Sequence, residues 1–197
     1  MTKGTVIVTG ASKGIGLAVA HFLLENGYGV AGISRSQPQI DHPEFRAYLG
    51  DATDESFVAK TVVTIDKECG GIFGLYNNVG DASLNFITTT TLASVQHLWN
   101  INFVSTFLWT REVAKRMMRH KQGCIVNTSS IAVPLHLEGE AVYASVKAAV
   151  EQWTLQSARE LAPWGIRVNA IGPGPTDTRL LRSVPEPKVQ VLLNQTA

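Results

Sequence analysis

The chain has no apolar run that approaches the ~18 residues of a membrane-spanning helix. It has only two cysteines, Cys69 and Cys124, far apart in apolar or glycine-rich surroundings, which indicates reduced thiols rather than a disulfide. The N-terminus lacks the layout of a signal peptide, because a strand-like run begins almost at once. These absences predict a cytoplasmic protein that has no membrane partner.

Charge and metal ligands are also sparse. Only 17% of the residues are charged and the net charge is +1, so nothing indicates a surface for nucleic acid. No metal site is expected, because the histidines lack the spacing of metal ligands; they are His21, His42, His97, His120 and His136. With 197 residues, of which 45% are hydrophobic, the chain is long enough for one domain with a real core.

What the chain does have is a regular alternation of short β-branched runs and helical patterns. The predicted strands are residues 5–8, 29–33, 46–49, 73–76, 124–128 and 166–171. The predicted helices are residues 15–26, 54–69, 91–119 and 143–162. This order predicts an α/β fold of the Rossmann type, a doubly wound parallel sheet in three α/β/α layers, with the ligand at the carboxyl ends of the strands. Residues 37–44 contain two prolines and no helical period, so the second crossover helix is expected to be missing or reduced.

A glycine-rich turn separates the first strand from the first helix. Its glycines are spaced Gly-x-x-x-Gly-x-Gly, and such a turn lets the backbone approach a ligand closely. The helix that follows offers unpaired N–H groups and a positive dipole end to a pyrophosphate. The candidate cofactor-binding residues of this turn are Gly10, Ser12, Lys13, Gly14, Ile15 and Gly16.

The end of the second strand lacks an acidic residue. Proteins that prefer NAD usually carry an acid about 20 residues after the glycine turn, where it holds the ribose 2′-hydroxyl. Here the chain has Ser34 and Arg35, with Lys13 in the glycine turn. Two cations and a hydroxyl suit a 2′-phosphate, so the sequence favours NADP(H) over NAD(H) as cofactor.

Tyr143 and Lys147 stand four residues apart in a stretch that is predicted to be helical. Side chains at this spacing lie one above the other on the same helix face. A nearby cation favours the phenolate and lowers the pKa of a phenol. We therefore expect this pair to move a proton to or from a substrate oxygen.

Together these features resemble the short-chain dehydrogenase/reductase family, and 3-oxoacyl-[acyl-carrier-protein] reductases within it. The family's motifs occur in its order from residue 5 to about residue 180. Beside Tyr143 and Lys147, they are the turn Thr9 to Gly16, the adenine-contacting acid Asp51, Asn77-Asn78-Val79-Gly80 with valine where alanine is usual, Asn102, Ser130 and Pro173-Gly174.

The resemblance implies a role for each matched residue. Asn102, Ser130, Tyr143 and Lys147 would be catalytic. Ser130 would hydrogen-bond the substrate oxygen, Tyr143 would exchange its proton, and Lys147 would lower the pKa of Tyr143 and hold the nicotinamide ribose. Asn102 would order a water that connects Lys147 with solvent. The remaining cofactor contacts would come from Asp51, Ala52, Asn78, Pro173, Gly174, Thr176 and Thr178.

The resemblance leaves three functions open. The first is an NADP(H)-dependent reductase of 3-oxoacyl thioesters or related ketones, acting on CH–OH groups. The second is a dehydrogenase of a cyclic alcohol or dihydrodiol that uses either cofactor. The third is a non-catalytic NADP-binding regulatory protein. A homodimer or homotetramer through helices 91–119 and 143–162 is expected, and the segment Thr178 to Ala197 is expected to open a substrate lid whose remainder, with a last strand, is missing.

Overall fold

A computed structural model describes residues 2–178 together with Leu181 and Val189. The strands are β1 (Thr5–Thr9), β2 (Gly29–Ser34), β3 (Phe45–Leu49), β4 (Gly74–Asn77), β5 (Gly123–Thr128) and β6 (Ile166–Ile171). The helices are α1 (Gly14–Glu25), α2 (Glu55–Cys69), α3 (Leu92–Trp99), α4 (Ser105–His120), α5 (Ala132–Leu135) and α6 (Ala141–Leu161). Each predicted strand is confirmed to within one residue at either end.

The strands form one parallel sheet in the order β3-β2-β1-β4-β5-β6. β1 pairs with β2 on one side and with β4 on the other, so the strand order reverses at β1. In doubly wound sheets a ligand binds in the crevice beside the carboxyl ends of the strands at such a reversal, which here lies between β1 and β4. The predicted doubly wound α/β fold is confirmed.

Alternate residues of the strands enter two different hydrophobic clusters, which places helices on both faces of the sheet. Ile7 and Leu75 pack with α2 and α4 around Trp109, which is fully buried. Val8 and Tyr76 pack with α1 on the opposite face. Strands covered on both faces are buried at successive positions, as β1 is over its whole length.

The connection between β2 and β3 has no helix over residues 35–44, as predicted. Pro38 and Pro43 lie in this segment, and each removes a backbone donor that a helix would need. The helical pattern of residues 91–119, by contrast, is not one continuous α-helix. A π-helical turn at Asn100–Val104 separates α3 from α4.

No helix in the described part of the chain combines the length and apolarity needed to cross a bilayer. Of the segment that was expected to open a substrate lid, all but Thr178, Leu181 and Val189 lies outside the described residues.

Candidate active site

Most of the motifs singled out in the sequence follow the carboxyl end of a strand, and the parallel sheet brings these ends to one edge. The glycine turn follows β1, Asn78 follows β4, Ser130 follows β5, and Pro173 follows β6. Tyr143 and Lys147 reach the same edge from α6. The structure therefore groups the predicted residues around the crevice between β1 and β4.

The glycine turn is packed so closely that side chains would not fit. Gly10 has φ +73°, and a Cβ atom there would lie 2.8 Å from Asn78 Nδ2. A Cβ atom on Gly16 would collide with the carbonyl oxygen of Gly10. α1 begins at Gly14 with no acid in its first turn, and no side chain in the described part of the chain caps its first N–H groups. Such a helix start can accept an anion.

Thr9 connects this turn to the Asn-Asn-Val-Gly motif, a role that the sequence analysis missed. The Thr9 hydroxyl oxygen accepts hydrogen bonds from the backbone N–H groups of Asn78, at 2.9 Å, and Val79, at 3.1 Å. The Asn78 side chain in turn donates to the Thr9 carbonyl oxygen at 3.0 Å. These bonds fix the two loops that border the crevice.

The ends of β2 and β3 bring Arg35 close to Asp51. Hydrogen bonds from the backbone and hydroxyl of Thr53 lower the pKa of Asp51, and the positive charge of Arg35 lowers it further. The Ser34 hydroxyl is buried and donates to the carbonyl oxygen of Ser36 at 2.6 Å. Arg35 and Lys13 are exposed. Arg35 at this corner, and Lys13 in the glycine turn, are therefore more accessible to a phosphate than the Ser34 hydroxyl.

Ser130, Tyr143 and Lys147 lie together where β5 ends against α6. The Ser130 side chain lies close enough to the Tyr143 phenol to lower the pKa of the phenol. Lys147 Nζ lies 5.8 Å from the centre of the Tyr143 ring and donates to the carbonyl oxygen of Thr128 at 2.8 Å. Tyr143 and Lys147 are 9% and 4% exposed, so both polar groups are removed from bulk water.

The electrostatics of this group differ from the sequence-based expectation. Burial raises the pKa of Tyr143 above its ordinary value, the nearby Ser130 side chain lowers it, and the negative charges of Glu140 and Asp81 raise it. Burial also lowers the pKa of Lys147 to about 8. The sequence-based expectation that the pKa of Tyr143 is lowered is therefore wrong. Loss of hydration raises the pKa of the buried phenol by more than its neighbours lower it.

Asn102 occupies the π-helical turn, and its side chain accounts for the break between α3 and α4. Asn102 Nδ2 donates to the carbonyl oxygens of Leu98, at 3.0 Å, and Asp81, at 2.9 Å. Asn102 Oδ1 accepts from the Asp81 backbone N–H at 3.3 Å. A side chain that competes for the carbonyl of the preceding turn favours such a bulge, and bulges of this kind often mark functional sites.

Gly80 separates Asn102 from Lys147. A Cβ atom on Gly80 would lie 2.6 Å from Asn102 Oδ1 and 3.4 Å from Lys147 Nζ.

We expect Gly80→Ala to lower the free energy of unfolding by about 1–3 kcal/mol, because neither side chain can move aside without losing hydrogen bonds. Urea unfolding measures the change. Gly174→Ala is the matched control, since no atom of the described residues lies within 4 Å of its Cβ position and no loss is expected. Equal stabilities of the two variants would contradict this packing.

The segment after β6 contacts both the loop after β5 and the glycine turn. The Ile131 N–H donates to the Pro173 carbonyl oxygen at 3.3 Å, and Thr176 Oγ1 donates to the Gly174 carbonyl oxygen at 3.0 Å. The methyl group of Thr178 lies 3.4 Å from the Cβ position of Gly14. The Pro-Gly segment therefore spans from Ser130 to the glycine turn, as expected of residues that hold one extended ligand.

Two further polar pairs at this edge escaped the sequence analysis. Asp81 forms an ion pair with His97 at 2.9 Å when the histidine is protonated. Ser129 Oγ donates to Glu151 Oε1 at 2.5 Å. The spacing of Glu151, four residues after Lys147 on the same helix face, was the available signal for the second pair.

Comparison with known proteins identifies the family. The family model for short chain dehydrogenase matches residues 4–188. A 3-oxoacyl-[acyl-carrier-protein] reductase FabG from Vibrio harveyi is 32% identical over 186 residues, which are 90% of this chain and 75% of the relative. Cyclopentanol dehydrogenase from Comamonas testosteroni is 33% identical over 189 residues, 91% of this chain and 75% of the relative.

Solved structures agree with the sequence relatives. ElxO with NADP bound superimposes with a TM-score of 0.87 at 32% identity, over 92% of this chain and 77% of that one. Ligand-free aldohexose dehydrogenase from Thermoplasma acidophilum has a TM-score of 0.88 at 27% identity, over 98% of this chain and 78% of that one. The chain belongs to the short-chain dehydrogenase family, and it is an oxidoreductase of alcohol and carbonyl groups.

Proposed function

We propose that the protein interconverts a ketone and a secondary alcohol with NADP(H), using Tyr143 as its acid and base. The observation that supports this most directly is the contact of the Ser130 hydroxyl with the Tyr143 phenol at the sheet edge that carries the glycine turn. A protein that only bound a nucleotide would have no use for a buried phenol held in this way. The alternative of a non-catalytic NADP-binding protein therefore leaves the placement of Tyr143 beside Ser130 unexplained.

The residues present fit a dinucleotide phosphate along the crevice. The close-packed glycines and the uncapped start of α1 suit the pyrophosphate, and Arg35 and Lys13 suit a 2′-phosphate. Asp51, Ala52 and Asn78 would border the adenosine half, and Pro173, Gly174, Thr176 and Thr178 the nicotinamide half. The NADP in ElxO, a protein with the same fold at 32% identity, supports the preference for NADP(H). When bound, the nicotinamide supplies a hydride to the carbonyl carbon or accepts one from the alcohol.

The protein's own groups would handle the proton and the developing charge. Ser130 donates a hydrogen bond to the substrate oxygen and stabilises negative charge there. Tyr143 gives its proton to that oxygen in reduction and takes it back in oxidation. Lys147, whose pKa is lowered to about 8, can exchange protons near neutral pH. Asn102, fixed by three hydrogen bonds, holds the loop after Gly80 against Lys147.

Two substrate classes remain in competition. Similarity to FabG supports a 3-oxoacyl thioester or a related ketone. Similarity to cyclopentanol dehydrogenase, at 33% over nearly the same share of the chain, supports a cyclic alcohol. We favour the first class and keep the second as the alternative; the preference for NADP(H) argues only against a member of the second class that strictly requires NAD(H).

A panel of carbonyl compounds tests the proposal. Absorbance at 340 nm reports the oxidation of NADPH or NADH by 3-oxoacyl thioesters, small cyclic ketones and open-chain ketones. The proposal expects protein-dependent oxidation of NADPH with at least one ketone, and faster turnover with NADPH than with NADH. Binding of NADPH without turnover on any member of the panel would contradict it and favour a regulatory protein.

We also propose that a second copy of this chain packs on α4 and α6. Trp99, Phe103 and Phe107 form an aromatic row at four-residue spacing, and Trp153 of α6 contacts the last two at ring distances of 6.0 and 5.5 Å. Among the described residues, the buried Trp153 Nε1 has no hydrogen-bond partner. Trp99, the first ring of this row, is 44% exposed. An exposed apolar surface beside an unpaired donor suits a protein interface.

Trp99→Glu is expected to shift the protein from dimer to monomer in sedimentation at micromolar concentration, because a carboxylate would be buried in the interface. The matched control is Phe22→Glu, since Phe22 is 62% exposed on α1 at the opposite face of the sheet. The control should sediment as the unaltered protein does. A monomeric unaltered protein, or equal behaviour of both variants, would contradict the proposed interface.

A further inference from the structure

Three consecutive residues at the end of β5 each contact a side chain on one face of α6. The partners stand four residues apart along the helix; the pairs are Ser130 with Tyr143, Thr128 with Lys147, and Ser129 with Glu151. The first two pairs belong to the proposed mechanism. The third has the same placement and no role in that mechanism.

The Ser129–Glu151 contact is short and sheltered. Ser129 Oγ donates to Glu151 Oε1 at 2.5 Å, a length typical of a hydroxyl bonded to a charged carboxylate. Ser129 is 3% exposed, and its backbone N–H donates to the Ile171 carbonyl oxygen at 2.7 Å. Ser129 is therefore tied through its backbone to β6 and through its side chain to α6.

We propose that Glu151 is a positioning residue that sets the direction of the Ser130 hydroxyl by holding Ser129. Ser130 follows Ser129 directly, and its hydroxyl oxygen accepts from the Ala132 N–H at 3.2 Å while it contacts Tyr143. Loss of the Glu151 contact would leave Ser129 held by its backbone bond to β6 alone, and so would loosen the residue that precedes Ser130. Small errors in the position of such a group cost much of its effect on a reaction. The inference rests on the proposed function of Ser130 and Tyr143.

The test uses three substitutions that differ in one hydrogen-bonding group each. Glu151→Leu removes the acceptor, Ser129→Ala removes the donor, and Glu151→Gln keeps an acceptor of the same length without the charge. We expect the first two to lower kcat for ketone reduction about tenfold, with KM and the Kd of NADPH within about twofold. The Gln variant should recover most of kcat.

The double variant that combines Ser129→Ala with Glu151→Leu distinguishes a positioning role of Glu151 through Ser129 from two independent effects on kcat. If Glu151 acts through Ser129, the combined variant should be no slower than either single variant, because both remove the same contact. Losses that multiply would overturn the proposal. An unchanged kcat in Glu151→Leu, accompanied by a lower midpoint of urea unfolding, would also overturn it and leave Glu151 with a structural role only.

A measurement without turnover distinguishes failure of this inference from failure of the proposed function. Hydrogen exchange of the Ala132 amide, followed by NMR, reports the contact of that amide with Ser130 Oγ. We expect about tenfold faster exchange in Glu151→Leu and near-normal exchange in Glu151→Gln. Should no ketone be reduced, the proposed function fails, while this exchange still decides whether Glu151 holds Ser130. Equal exchange in all variants would overturn the inference.

Discussion

Replacement of Tyr143 by Phe is expected to lower kcat for ketone reduction by about a thousandfold. The phenol is the group at the site that contacts Ser130 and lies above Lys147 on the same helix face, so its proton has no substitute there. The ring itself remains and keeps its place in the hydrophobic cluster with Leu98 and Val146. Binding of NADPH, measured by fluorescence titration, should therefore stay within about twofold of the unaltered protein.

Tyr28→Phe is the matched control, because it removes the same hydroxyl from a residue that stacks on Phe73 before the amino end of β2. This control should retain full activity. Undiminished turnover in the Tyr143 variant would show that another group carries the proton, and weakened NADPH binding as the only effect would assign Tyr143 to the cofactor.

The pair of substitutions Ser34→Asp and Arg35→Ala is expected to reverse the cofactor preference. The ratio of kcat/KM for NADPH to that for NADH should fall by about a thousandfold, because a charged hydrogen bond to the 2′-phosphate is lost and an acid takes its place. Ser34 ends β2, the place in the chain where proteins that prefer NAD carry the acid that holds the ribose hydroxyl. Initial rates with each cofactor at one saturating ketone concentration give the ratio.

Arg46→Ala controls for the loss of a surface cation. Arg46 is on β3 and pairs with Glu68, away from the glycine turn. Its removal should leave the ratio unchanged. Two results would contradict the proposal that Arg35 binds the 2′-phosphate. One is a preference for NADH in the unaltered protein, and the other is a ratio of kcat/KM values that the double substitution leaves unchanged.

The sequence predicted the fold well because each buried strand is bounded by a turn or a helix that differs sharply in pattern. Val6, Ile7 and Val8 precede a glycine turn, and α2 begins where Asp54 caps the N–H of Phe57 and ends at Gly70. Parallel pairing then brings all the strand ends to one edge, so the order of strands and motifs in the sequence is enough to predict their grouping.

The features that escaped prediction depend on contacts between distant segments. The break at Asn102 requires the carbonyl of Asp81, which lies 21 residues earlier, to be within reach. The raised pKa of Tyr143 follows from burial, which the spacing of Tyr143 and Lys147 does not encode. The role of Thr9 emerges only where β1 and β4 lie side by side.

The pH dependence of alcohol oxidation tests the proposed role of Tyr143 most directly. As a base, Tyr143 must lose its proton first, so kcat/KM should rise with pH through the pKa of the phenol. The nearby Ser130 side chain lowers that pKa, so Ser130→Ala should move the midpoint of the rise to higher pH as well as slow the reaction. A midpoint that is identical in the two proteins, or a rate that does not rise with pH, would contradict the proposal.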